Sequence, residues 1–221
     1  MTFPTPRTPE FSSSSSTVNR VVTLPAGIQA GDMMIAIISG SSGMGSITPP
    51  AGWVLLSGGW GNGTSGDGIY WKIAVGGETS ATFVTASSTG TTIHCGLAFS
   101  GAKGIPEYTF ADHGIPSGGS TMDCPSITAS WGSDDNLFCA INYWNDASDS
   151  PTSYPASYSL MQATVAPGGA GYRTSARQLA AASDNPAAQT TSGTMSVTRS
   201  MTFAIEPANA VAVARGSYMM G

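Results

Sequence analysis

Charge is what this chain has least of. Only 10% of its 221 residues are charged, against roughly 25% in an average globular domain. Lysine occurs only at Lys72 and Lys103, and the net charge is −5. Nucleic-acid binding needs clustered Lys and Arg to meet phosphates, and here the few arginines are scattered. Histidine is equally scarce, with His94 and His113 as the sole imidazoles. Long apolar runs are missing too. The longest aliphatic stretch, Met33 to Ile38, is far short of the roughly 20 residues of a membrane-spanning helix. The first residues, interrupted by Pro4 and Pro6, offer no apolar core of a secretory leader. Cys95, Cys124 and Cys139 are odd in number and lack CxxC spacing. They read as reduced, apolar-packed thiols of a protein made in a cytoplasm rather than a disulfide framework or zinc site.

Glycine and proline are abundant instead. The 28 Gly and 14 Pro break the chain at short intervals, and helical periodicity is hard to find between them. Runs rich in β-branched and aromatic residues fill the gaps and predict strands at 18–24, 33–39, 53–57, 69–74, 81–85 and 93–100. Ile93, Cys95, Leu97 and Phe99 alternate with His94, Gly96, Ala98 and Ser100, the period-two pattern of a strand with one apolar face. On that pattern His94 is a partly exposed sheet residue. Met33 to Ile38 is apolar on both faces, as a central strand would be. The residues expected to be buried are Ile35, Ile37, Leu97, Phe99, Phe138, Ile141, Met201 and Phe203.

An internal repeat organises these strands. Asp32–Ser39 recurs as Asp135–Asn142, offset by 103 residues, and Pro50–Leu55 recurs as Pro155–Leu160, offset by 105. Tyr70 with Lys72 is echoed by Tyr172 with Arg173, and Ile93, Leu97 and Phe99 by Val197, Met201 and Phe203, offset by 104. The fold class that follows is all-β: a jelly-roll-like antiparallel β-sandwich built from two repeats of about 100 residues. A core shared by both halves buries more apolar area per residue than two separate small ones, which favours one sandwich over two in tandem. The organisation reads as a flexible arm at 1–16, rich in Pro and Ser, then a sandwich at 17–207. That sandwich divides into repeat one (17–102), a Gly/Pro-rich connector (103–120) and repeat two (121–207), and an extension follows at 208–221.

No set of residues with catalytic, cofactor-binding or metal-ligating spacing emerges, and the chain reads as non-enzymatic. Gly61, Gly63 and Gly66 match G-x-G-x-x-G, but that fingerprint needs a strand before it and a helix after it. Here a strand follows, so a wide hairpin loop is the simpler reading. His113 beside Asp112 has a triad-like neighbour, and such neighbours are common. Asp134, Asp135, Asp146 and Asp149 are the densest acidic group. They flank a strand that would separate the two pairs by roughly 30 Å, too far for one cation site. The remaining candidates are aromatics beside amides: Trp60, Asn62, Tyr143, Trp144, Asn145 and Tyr154. Exposed, such groups stack on and hydrogen-bond to sugars; the bland alternative is that the rings pad contacts between subunits.

The runs VTLPAGIQAGDMMIAIISG, ITPPAGWVLLSG, GIYWKIA and TIHCGLAFSGA, continued by DNLFCAINYW, YPASYSLM and SVTRSMTFAIEPA, resemble a recurrent family of virion proteins of tailed phages and gene-transfer particles. The resemblance spans residues 17–208 and rests on structural motifs: a turn before a strand, a Pro-Ala-Gly-Trp corner and a small-residue closing strand. It implies a β-sandwich on the particle surface, as a decoration, spike or fibre subunit. Its expected partners are other capsid or tail proteins and copies of itself. An adhesin that binds host-surface polysaccharide is the alternative. Neither reading calls for a cofactor, nucleic acid or membrane insertion.

Overall fold

The computed structural model describes residues 2–40, 45–58, 67–88, 90–112, 121–146, 148–165, 169–193, 195 and 198–208. Among them the chain is all-β. In chain order the first half carries β1 (Thr5–Pro6), β2 (Glu10–Ser15), β3 (Asn19–Thr23), β4 (Met33–Gly40), β5 (Ile47–Thr48), β6 (Val54–Gly58), β7 (Gly68–Ile73), β8 (Ser80–Thr85) and β9 (Thr91–Ser100). The second half carries β10 (Ala102–Asp112), β11 (Thr121–Met122), β12 (Ile127–Thr128), β13 (Asp134–Asn145), β14 (Ser159–Val165), β15 (Ala170–Ala181), β16 (Ser183–Asp184), β17 (Gln189–Thr190) and β18 (Thr198–Pro207).

Two large antiparallel sheets form the centre. One runs β1-β9-β4-β7-β6 with β2 also paired to β9, and the other runs β10-β18-β13-β15-β14. The order is the same when strands from the two halves are matched in sequence: β9-β4-β7-β6 against β18-β13-β15-β14. Even the irregularities correspond. The terminal strand β6 shifts register between Leu55 and Ser57, and β14 shifts between Leu160 and Gln162.

The inner faces of the two sheets share one core. Met33, Ile35 and Ile37 of β4 and Cys95, Leu97 and Phe99 of β9 meet Leu137, Cys139 and Ile141 of β13 and Met201, Phe203 and Ile205 of β18. The outer faces are covered as well. Met34, Ala36 and Ile38 pack under the small sheet β3-β8-β5, against Val22 and Phe83. Phe138 and Ala140 pack under Cys124, Ile127 and Tyr158 beside the short pairs β11–β17 and β12–β16. A strand buried on both faces must be apolar at every position, which is why β4 lacks alternation. All eight side chains expected in the core are buried, and the three cysteines are buried free thiols. Burial pushes the Cys124 thiol up to about 12.

Glycine closes the packing where a strand is crossed tightly. A Cβ on Gly96 would overlap the Thr23 carbonyl oxygen, a backbone atom that cannot step aside.

Three expectations are corrected. Residues 5–6 and 10–15 are not a free arm: β2 pairs with β9 from Glu10↔Gly96 to Ser15↔Thr91. Phe11 packs on the shared core, its ring stacked 6.0 Å from that of Tyr172. The serines are what permit this, because Ser12 fits between strands and donates its hydroxyl to the Val21 carbonyl at 2.8 Å. The connector is also structured in its first part, since β10 pairs with β18, and Pro106 falls where the register shifts between Lys103 and Glu107. An edge strand tolerates proline at such a shift. Residues 113–120 and 209–221 lie outside the described residues. Finally, His94 is fully buried because the small sheet covers the face on which it was expected to meet solvent.

The N-terminal strands therefore belong to the folded unit. Phe11→Ala is expected to lower stability by about 1–2 kcal/mol, the share of a half-buried ring's transfer energy, measurable as a lower urea midpoint. An unchanged midpoint would mean that the segment is only loosely attached.

Candidate functional site

The aromatic candidates do not converge on a surface. Tyr143 and Trp144 are adjacent on β13, so they must point to opposite faces, and both faces are covered. Tyr143 lies in the shared core, 5.4 Å from the Tyr172 ring, and Trp144 is buried with Met122 and Met195. Burial raises the Tyr143 hydroxyl to about 12. A stacking role for these two rings is therefore overturned. Asn145 is half-buried, and Tyr154, 42% exposed, keeps an accessible ring. Trp60, Asn62, the glycine-rich motif and His113 lie outside the described residues.

The acidic residues stay apart too. Asp146 accepts the backbone N–H groups of Ser148 and Asp149, closing its own turn, and Asp149 accepts the Ser192 hydroxyl at 3.0 Å. No group of three or more His, Cys, Asp or Glu side chains suited to a metal ion occurs among the described residues.

Polar clusters are buried instead, and two of those among the described residues hold an ion pair or an imidazole. At the seam between the large sheets, Asp67 accepts the Gly40 N–H at 2.9 Å and pairs with Arg199 at 2.7 Å. The Arg199 guanidinium lies 5.3 Å over the Tyr143 ring, and nearby Tyr172 donates to Ser39 at 2.7 Å. Under the small sheet, His94 Nδ1 lies 3.0 Å from the Val21 carbonyl oxygen and Nε2 lies 2.8 Å from the Thr92 hydroxyl. Burial, helped by nearby Arg20, pulls the His94 imidazole down to about 4. The His94 side chain is itself buried, although with Ser12 it borders a smaller surface pocket of about 200 Å³, and among the described residues no carboxylate hydrogen-bonds to Ser12 or His94 to complete a triad.

Among the described residues, an open feature of the surface is a groove of about 450 Å³ where the N-terminal strands of one sheet meet β14 and β15 of the other. Leu137 and Ala176 form its floor, Pro6, Leu160 and Met161 its apolar wall, and Arg7, Thr8, Ser157, Ser159, Arg177 and Gln178 its polar rim. Arg7 pairs with Asp32 at 2.6 Å and Arg177 with Asp184 at 3.2 Å, so each guanidinium is neutralised from behind and held in place. The carboxylates are nearly buried, whereas the arginine side chains remain 24% and 30% exposed.

Ser157 is the unusual member. It stands third in the corner Pro155-Ala156-Ser157-Tyr158, where the Tyr158 N–H bonds back to the Pro155 carbonyl at 3.1 Å. The matching corner is Pro50-Ala51-Gly52-Trp53, closed by the same bond at 3.2 Å. This turn needs a left-handed residue in third place. Gly52 supplies it at φ 81°, but Ser157 adopts φ 69° with a side chain, at a cost of about 1 kcal/mol. The sequence signal was available in the PAGW/PASY pair, although nothing there could show that the serine faces a groove. Arg7, Thr8 and Arg177, distant in sequence, gave no such signal.

No family model, curated protein or solved structure matches this chain.

Proposed function

We propose that this protein is a structural subunit exposed on the surface of a tailed-phage or phage-like particle, held there by contacts with capsid or tail proteins and with copies of itself. The observation that carries the reading is the character of its two terminal strands. β6 and β14 end their sheets among the described residues, and neither VLLSG nor SLMQATV contains a charge. Val54 and Leu55 are 53% and 54% exposed, and Leu160 and Val165 are 46% and 60% exposed. A monomer in water ordinarily protects such edges with charge or a covering loop. In an assembly, a neighbour covers them. The register shifts in both strands limit continuous strand addition, so contact through side chains is the favoured mode. The low overall charge and the resemblance of residues 17–208 to virion surface proteins support the same reading. The matched strand orders support an origin by duplication of one unit.

Antibody-gold labelling of intact particles from a host producing this protein is the test. Regular decoration of heads or tails is expected, together with lower occupancy for the double variant Leu55→Lys, Leu160→Lys. Particles that carry no label, with the protein remaining free in the lysate, would overturn the proposal.

A further inference from the structure

From the groove between the N-terminal strands and β14–β15, we infer that the protein has a binding site for a neutral saccharide of one or two rings. Its volume of about 450 Å³ falls within the roughly 300–1,000 Å³ of small-ligand pockets. The rim supplies what hydroxyl groups recognise. Thr8, Ser157 and Ser159 line it, and none of their hydroxyls makes a hydrogen bond to another described residue. The Gln178 amide reaches Pro4 O only at 3.4 Å. The two guanidiniums add planar N–H donors fixed by Asp32 and Asp184.

Charge decides the ligand class. Two arginines beside two nearly buried aspartates leave the rim with no net formal charge, so a carboxylate or phosphate would find no excess cation. A neutral polyol finds donors and acceptors already oriented. The apolar wall of Pro6, Leu160 and Met161 suits the C–H face of a sugar ring. Ser157 then has a reason to occupy a position where its counterpart is Gly52: its hydroxyl serves the ligand, and backbone strain kept beside a groove is a mark of function. The groove shares Leu160 with the edge strand assigned to particle contacts, but binding is measured on the purified protein alone, so failure of the particle reading leaves the saccharide test intact.

Purified full-length protein is titrated with cellobiose, maltose, lactose and glucuronic acid while backbone amide resonances are followed by NMR. At least one neutral disaccharide is expected to shift resonances of residues 7–8, 157–161 and 176–178 saturably, at millimolar concentrations. Ser157→Gly is expected to weaken that binding at least five-fold while keeping the melting temperature at or above that of the parent protein. A serine serving the turn alone would leave binding unchanged in this variant, and that result overturns the inference. So does the absence of shifts with all three disaccharides, shifts confined to other surfaces, or binding of glucuronic acid only.

Discussion

Replacing Arg199 by leucine is expected to lower the unfolding free energy by about 3–5 kcal/mol, the usual cost of leaving one buried charge without its ion-pair partner. The geometry explains the size. Asp67 leads into β7 of the first sheet, Arg199 lies on β18 of the second, and their contact is 2.7 Å with both side chains at most 6% exposed. Asp67 also accepts the Gly40 N–H at the end of β4, so its charge is tied to the sheet seam and cannot turn outward. Loss of the guanidinium also strips the face of Tyr143. Asp67→Asn in the same background removes the stranded charge and is expected to recover part of the loss. Urea unfolding of the single and double variants reads this directly. If Arg199→Leu shifts the midpoint only slightly, the pair is not a latch between the sheets.

The same seam marks what sequence reasoning could and could not reach. The central strands were legible because a sheet buried on both faces leaves no position for a polar residue from Met33 to Ile38. The eight core residues followed from alternation and from the offset between halves. Alternation failed at His94 because it separates two faces but does not say that both are covered; Tyr143 and Trp144, read as exposed aromatics beside amides, instead sit on a strand whose two faces are both covered. The small sheet over β9 and the short strand pairs over β13 bury the second face; β3 and β8 were expected as strands, but nothing in them says which sheet they cover, and the pairs over β13 are two residues long, too short to show a period. The N-terminal serines misled for a different reason. Ser is a poor indicator of strand, but β9 leaves an edge open beside β3, and small hydroxylated side chains are what fit there. The groove was invisible because Arg7, Ser157 and Arg177 meet only through pairing of strands across the whole chain. Ser157 alone was readable, as a serine standing where the other half has glycine.

The buried imidazole gives the chain a pH-dependent stability with a definite sign. In the neutral ring Nδ1–H donates to the Val21 carbonyl, and Nε2 accepts from the Thr92 hydroxyl; the tautomer follows from the partners. Protonation adds a hydrogen at Nε2. Thr92 can then accept it and turn its own hydrogen toward Ser14 O at 3.3 Å, so hydrogen bonding is not what forbids the charge. Burial forbids it, and Arg20, itself fully buried beside the same strand, repels it. The folded value of about 4 lies below the ordinary imidazole value of 6.5. Between the two, the unfolded chain binds the proton and the folded chain does not, so stability is complete above pH 6.5 and falls as the pH drops toward 4. Over that window the loss attributable to His94 is about 2–3 kcal/mol, from 1.36 kcal/mol per pKa unit. His94→Gln removes this contribution but leaves the carboxylates unchanged. The difference in unfolding free energy between pH 7 and pH 4.5 is therefore expected to be smaller in the variant by that amount. Equal pH dependence in the two proteins would show that His94 titrates in the folded state as it does in water.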